Sequence, residues 1–230
     1  MKKIIVITGG NSGLGKETAR ILAEENQVII LGKNTTEVKK VVKELKCDGI
    51  ICDVTDEKQI EAAFSKIIKN YKKIDCLVNC AGVWIKGPIA QNSPKDIRNT
   101  ILVNTLGTIL TVNALVPQLK KQKYGRIVNV ISQAGLNAKN ERSVYYASKW
   151  AVTGFTKCLQ IELTPFDIGV VGFYPGFFHT NLFEKGGDHK TDFSAAMPVA
   201  KVAKALAYLV NADDDLVINS FEMQSINRAK

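Results

Sequence analysis

Short apolar runs alternate along the whole chain with longer stretches in which apolar residues recur every three or four positions. "KIIVIT" precedes a helical stretch through Arg20 and Leu22, and "QVIIL" precedes another that ends near Lys46. "GIIC" is followed by "EKQIEAAFSKIIKNY", and "CLVNCAG" by a long helix from about Pro94 to Lys120. "RIVNVIS", a helix from about Tyr145 to Leu163, "GVVGFYPG", a helix around Val199–Val210 and "LVINSFEM" complete the series. The strand runs are apolar throughout instead of alternating, which suits strands covered on both faces. Such strands alternating with helices predict an α/β fold, a doubly wound parallel sheet with helices on both faces. No linker-like stretch divides it, so residues 1–230 are expected to form a single domain. In open sheets of this kind ligands collect at the carboxyl ends of the strands, so the chemistry should follow the strand runs.

Composition narrows the function. The net charge of +9 comes mostly from scattered lysines, as in "EVKKVVKELK" and "LKKQKYGR". They form no basic stripe interleaved with aromatics, so nucleic acid is not an expected partner, while anionic ligands such as phosphates are favoured. No stretch of about 18 uninterrupted apolar residues offers a membrane span. The start "MKKIIVITGG" is too short an apolar run for a signal sequence and meets glycines, so it reads as a first strand and a cytoplasmic location is expected. Cys47, Cys52, Cys76, Cys80 and Cys158 lack zinc-site spacing and are expected to be buried free thiols, with no metal.

Immediately after the first strand comes "TGGNSGLG", residues 8–15. Gly9, Gly13 and Gly15 would permit a tight turn, close backbone approach to a pyrophosphate, and close packing of the next helix, whose free N–H groups face the phosphates. Asn11, Ser12 and Leu14 complete the loop. With this TGxxxGxG spacing the chain resembles the short-chain dehydrogenase/reductase family in its shorter single-domain branch, and the resemblance continues across nearly the whole length. It implies a Rossmann-like fold and an oxidoreductase acting on CH–OH or carbonyl groups with NAD(P).

An NAD site of this architecture usually places an acid at the end of the second strand. Here "VIILGKNTTE" puts Gly32, Lys33 and Asn34 there, and the first acid is Glu37, already in the next helix. A cation without an acid suits a 2′-phosphate, so NADP(H) is the expected cofactor, with NAD(H) left open. Asp53 and Val54 in "CDVTDE" match the family's adenine-binding pair, although Asp53 also reads as a turn residue before a helix capped by Thr55. "NCAG" matches the family's NNAG with Cys80 in place of the second Asn. The match implies that Asn79 braces neighbouring strands and that Ala81 and Gly82 pass close to the cofactor ribose.

"SVYYASKW" offers two tyrosines before Lys149, and helical geometry alone does not separate Tyr145 from Tyr146. The family's YxxxK pattern selects Tyr145, with Tyr146 packed beside it. Ser132 in "NVISQAG" lies at the family's usual separation before Tyr145, and Asn104 in "LVNTLG" matches its fourth member. A phenol with a pKa of roughly 10 is a reluctant proton donor near neutrality, and a nearby ammonium would bring it towards the working range. The resemblance implies that Lys149 also binds the nicotinamide ribose, that Ser132 holds the substrate oxygen, and that Asn104 positions a water linking Lys149 to solvent. Taken singly, each residue has a plainer reading, and Asn104 alone would simply bend or brace its helix.

After the sixth strand, Pro175, Gly176 and Thr180 in "YPGFFHT" match the family's PGxxxT, which contacts the nicotinamide carboxamide. Residues 177–198 correspond to the family's substrate lid. They carry Phe177, Phe178, Leu182, Phe183, Phe193 and Met197, with "GG" at 186–187 as a hinge, though several of these could simply pack onto the domain. The expected partner is a small carbonyl or alcohol substrate, with Trp84 lining the same cleft, and by resemblance a homodimer or homotetramer. An NAD-linked alcohol or sugar dehydrogenase is the alternative, and a non-catalytic dinucleotide-sensing regulator a further one.

Overall fold

The computed structural model describes residues 2–213 and 215–226. Seven strands form one sheet in the order β3-β2-β1-β4-β5-β6-β7. They are β1 Ile4–Thr8, β2 Gln27–Gly32, β3 Asp48–Ile51, β4 Cys76–Asn79, β5 Gly125–Val130, β6 Ile168–Pro175 and β7 Ser220–Met223. Every pairing is parallel. The helices are α1 Gly13–Leu22, α2 Thr35–Leu45, α3 Glu57–Tyr71, α4 Pro94–Ile101, α5 Gly107–Gln122, α6 Ser143–Leu163, α7 Leu182–Lys185 and α8 Val199–Asn211.

Successive strand residues feed two separate cores. Ile5 and Ile7 of β1 pack with Val28 and Ile30 of β2 against α1, α2 and α8. Ile4 and Val6 pack with Ile29 and Leu31 against α3, α5 and α6. Alternate side chains point to opposite faces of a strand, so a strand apolar at every position is covered on both sides. The two edge strands depart from that expectation: β3 and β7 are only half covered, and Ile51 is exposed.

The long helix expected from about Pro94 to Lys120 is present as the continuous helical run Pro94–Gln122. Residues 102–106 form a π turn between α4 and α5, which places Asn104 inward, buried at 1% exposure. By length and composition the run Pro94–Gln122 resembles a membrane-crossing helix; Val112, Leu115 and Leu119 on it are buried in the core beneath the sheet. Gly107 begins α5 against Val54, where a Cβ would fall 2.8 Å from Val54 Cγ2, so the helix presses directly on the loop after β3.

Candidate active site

The sheet changes winding direction between β1 and β4, and the loops leaving their carboxyl ends open a cleft of about 880 Å³. Thr8 Oγ1 accepts from the backbone N–H groups of Cys80 and Ala81 at 3.1 and 3.2 Å, pinning the two loops together. Gly9 has φ +67, and a Cβ there would lie 2.8 Å from Ala81 Cα. A Cβ on Gly15 would lie 2.5 Å from the Gly9 carbonyl oxygen. Larger residues would collide with the loop after β4 or with the glycine loop's own backbone, so the glycines permit this close packing at the cleft floor. Ser12 starts α1 without capping it by its side chain, which leaves first-turn amides to serve an anion.

Gly9, Asn11, Ser12, Gly13, Leu14, Gly15, Lys33, Asp53, Val54, Ala81, Gly82, Ser132, Tyr145, Lys149, Pro175, Gly176 and Thr180 all line this one cleft. Asn79 and Asn104 do not; they stand behind its wall. Asn79 donates to Asn129 Oδ1 at 2.9 Å and accepts from Thr111, bracing β4 against β5 and α5. Asp53 accepts from both the N–H and the hydroxyl of Thr55, so it is a turn residue as well as a lining one. The helix that follows is capped by Asp56, which accepts from Gln59 N, and not by Thr55. At the end of β2, Lys33 is exposed, and Asn11 Nδ2 donates to Glu37 at 2.5 Å.

Ser132, Tyr145 and Lys149 meet on the opposite wall. Ser132 has φ +144, a conformation unusual for a residue with a side chain, and its hydroxyl accepts from Ala134 N at 3.1 Å. Burial pushes the Tyr145 phenol up from its ordinary pKa, while a hydrogen bond with Ser132 works in the opposite direction. Burial brings Lys149 down to about 8, and its Nζ donates to the Val130 carbonyl at 3.1 Å. The sequence reading gave the lowering of Tyr145 to Lys149. Instead the Lys149 ammonium lies 5.8 Å from the centre of the phenol ring, and it is Ser132 that opposes burial. Both groups are almost wholly removed from water, so desolvation outweighs a charge at that distance.

Asn104 is fully engaged. Its Oδ1 accepts from Val83 N at 2.8 Å, and its Nδ2 donates to Val83 O at 3.0 Å and to Ser148 Oγ at 3.1 Å. It therefore braces the π turn against the loop after β4 and against α6. Cys80 sits beside Lys149, its thiol driven up to about 12 by burial. The cysteines are free, as expected, but Cys158 is exposed and Cys80 lies just beyond β4. No cluster able to hold a metal occurs among the described residues.

Aromatic rings close the substrate side. Trp84 packs edge-on to Tyr145 at 4.6 Å and against Phe183 at 4.9 Å. Phe177 stacks on Phe193 at 5.4 Å, and Phe193 also carries the exposed His179 ring at 4.2 Å. Phe177, Phe178, Leu182 and Phe183 face the cleft, whereas Met197 is buried in the domain core. Arg142 lies over Trp84 at 5.6 Å, three residues before Tyr145. Its place, like those of Lys185 and Gln224 in the lining, is set by folded loops and has no spacing signal in the sequence.

The short-chain dehydrogenase family model matches residues 3–191. The chain belongs to this family. A 3-oxoacyl-(acyl-carrier-protein) reductase of Thermotoga maritima is 35% identical over 189 residues, 80% of this chain and 77% of the relative. A reductase of the same description from Bos taurus is 32% identical over 185 residues, 79% of this chain and 78% of its own. Among solved structures, ElxO with NADP bound is 27% identical with a TM-score of 0.89, covering 100% of both chains. This short-chain dehydrogenase/reductase is accordingly an oxidoreductase of the CH–OH/carbonyl class that uses a nicotinamide dinucleotide and a small-molecule substrate.

Proposed function

We propose that this short-chain dehydrogenase/reductase interconverts a ketone or aldehyde and its alcohol with NADP(H), Tyr145 exchanging the proton at the substrate oxygen. The observation that carries the reading is the meeting of the Ser132 hydroxyl, the Tyr145 phenol and the Lys149 ammonium on one wall of a cleft floored by the glycine loop. The glycine loop supports a dinucleotide because Gly9 and Gly15 let it pack tightly against Ala81 and against itself, leaving its amides and the start of α1 along the cleft. When bound, the nicotinamide supplies or takes up a hydride, a task no side chain here can perform.

The remaining steps belong to the chain. Residues 9–15 cradle the pyrophosphate, Asp53 and Val54 hold the adenine, and Ala81, Gly82 and Lys149 hold the nicotinamide ribose. Asn79 acts from behind, keeping the β4 end in place, and Pro175, Gly176 and Thr180 meet the carboxamide. Ser132 orients the carbonyl oxygen against the Tyr145 hydroxyl. A phenol kept neutral by burial retains its proton until negative charge develops on that oxygen, then donates it. Lys149, brought to about 8, can exchange protons near neutrality and restore the phenol. Asn104 keeps Val83 and Ser148 in register at the start of the path that returns a proton from solvent. Residues 177–198 form the lid that excludes water over an apolar substrate, in one domain spanning residues 1–230.

Lys33 at the end of β2, with no acid at 32–34, supports NADP(H), and a cytoplasmic homodimer or homotetramer completes the reading. Glu37 favours a second one, an NAD-linked alcohol or sugar dehydrogenase, since its carboxylate reaches Asn11 at the same corner, where an acid would accept from a ribose 2′-hydroxyl. Oxidation of NADPH and of NADH over a panel of ketones and aldehydes separates them. Faster turnover with NADPH, weakened by Lys33→Ala, is expected. Preference for NADH, with Lys33→Ala without effect on either, would establish the second reading.

A further inference from the structure

At the corner of the cleft beyond β2, one carboxylate is held from two distant parts of the chain. Glu37, in the first turn of α2, accepts from Asn11 Nδ2 at 2.5 Å and from Lys185 Nζ at 3.1 and 3.4 Å. Asn11 belongs to the glycine loop, whereas Lys185 ends α7 within the 177–198 loop. Lys185, Asn11 and Lys33 all line the cleft. Burial works to raise the Glu37 pKa, but hydrogen bonds from Lys185 and Asn11 outweigh it and hold the carboxyl ionised. At this corner one cation, Lys185, and one amide donor, Asn11, thus share a carboxylate of this chain, and the exposed Lys33 lines the same cleft from the end of β2.

On the NADP(H) reading above, this corner receives the 2′-phosphate. A phosphate would be repelled by Glu37 alone, yet it offers Asn11 and Lys185 a stronger acceptor than the carboxylate they hold. A 2′-hydroxyl brings no charge and leaves Glu37 with both donors. We propose that Lys185 is a specificity-determining residue that reads the 2′-phosphate together with Lys33, Glu37 being the counter-ion it gives up. Because Lys185 sits on the loop over the cleft, the same exchange ties the loop's position to which dinucleotide is bound. Glu37 and Lys185 then act in opposite senses: removing the cation harms NADPH alone, and removing the carboxylate charge helps it.

The test is direct binding, read from nucleotide fluorescence, of NADPH and NADH to the wild type, Lys185→Ala and Glu37→Gln, with melting temperatures confirming folded protein. Lys185→Ala should weaken NADPH by about fivefold, the scale of one part-exposed charge contact, and NADH by less than about twofold. Glu37→Gln should tighten NADPH by about two- to fivefold on the same scale. Equal effects of Lys185→Ala on both dinucleotides, or looser NADPH binding by Glu37→Gln, would overturn the inference while leaving the NADP(H) reading intact. A wild type that binds NADH at least as tightly as NADPH would overturn that reading first, and this inference with it.

Discussion

Ser132 and Lys149 occupy positions that cost stability at neutral pH, and Tyr145 one that does so in strong base. Ser132 adopts φ +144, a region that costs on the order of 1–3 kcal/mol for a residue with a side chain. Lys149 is buried, and its pKa falls from 10.5 to about 8. Between those values the unfolded chain binds a proton that the folded chain has released, so this lysine makes stability rise with pH from about 8 to 10. Tyr145 works the other way above about 10, where unfolded tyrosines ionise and the buried phenol does not. The melting temperature of the wild type relative to Lys149→Met should therefore climb between pH 8 and 9.5; a flat difference would mean that the ammonium is not desolvated. These residues were legible in the sequence through the family's YxxxK pattern and its serine spacing, because helical geometry alone left Tyr145 and Tyr146 open. The backbone of Ser132, the grip of Lys185 on Glu37 and the stacking of Arg142 on Trp84 were not, since each is set by tertiary packing.

At the scale of elements, apolar periodicity located the strands and helices, the long run Pro94–Gln122 included, but not the π turn within that run between α4 and α5. One inserted residue leaves no mark in composition, yet it turns Asn104 inward to hold Val83 and Ser148. Several helix ends also defied local expectation. Lys46, Lys72 and Lys123 close α2, α3 and α5 in the left-handed conformation, with φ of 51, 66 and 57, where glycine is the usual residue. At Lys72 the backbone N–H donates to Ile68 O, a bond that glycine would keep, and the side chain reaches only the Lys69 carbonyl. Lys72→Gly should stabilise the protein by about 1 kcal/mol, the relief of left-handed strain, raising the melting temperature by about 2–4 °C for a chain of this size. A drop in melting temperature would show that the lysine contributes more than its backbone costs. The 177–198 loop is anchored at its base, where Met197 N donates to Phe177 O and His179 N to Met197 O.

For the whole molecule, the alternation of apolar runs with amphipathic stretches carried the parallel, two-faced sheet, and the site fell at its switch point between β1 and β4. Exposed apolar side chains remain on the outer surface, among them Trp150 and Ile161 of α6 at 51% and 80% exposure. Single exposed apolar residues are normal on a protein surface, so the proposed homo-oligomer rests on the family resemblance. Light scattering should give two or four times the chain mass of 25.2 kDa, and a monomer across micromolar concentrations would refute it. The central claim is that Tyr145 passes the proton. Tyr145→Phe keeps the ring that packs on Trp84 and removes only the hydroxyl, so it should bind NADPH as the wild type does. Single-turnover carbonyl reduction with bound NADPH should then slow by about 10²–10⁴-fold, the usual worth of a positioned general acid. Reduction at the wild-type rate by this variant would contradict the account.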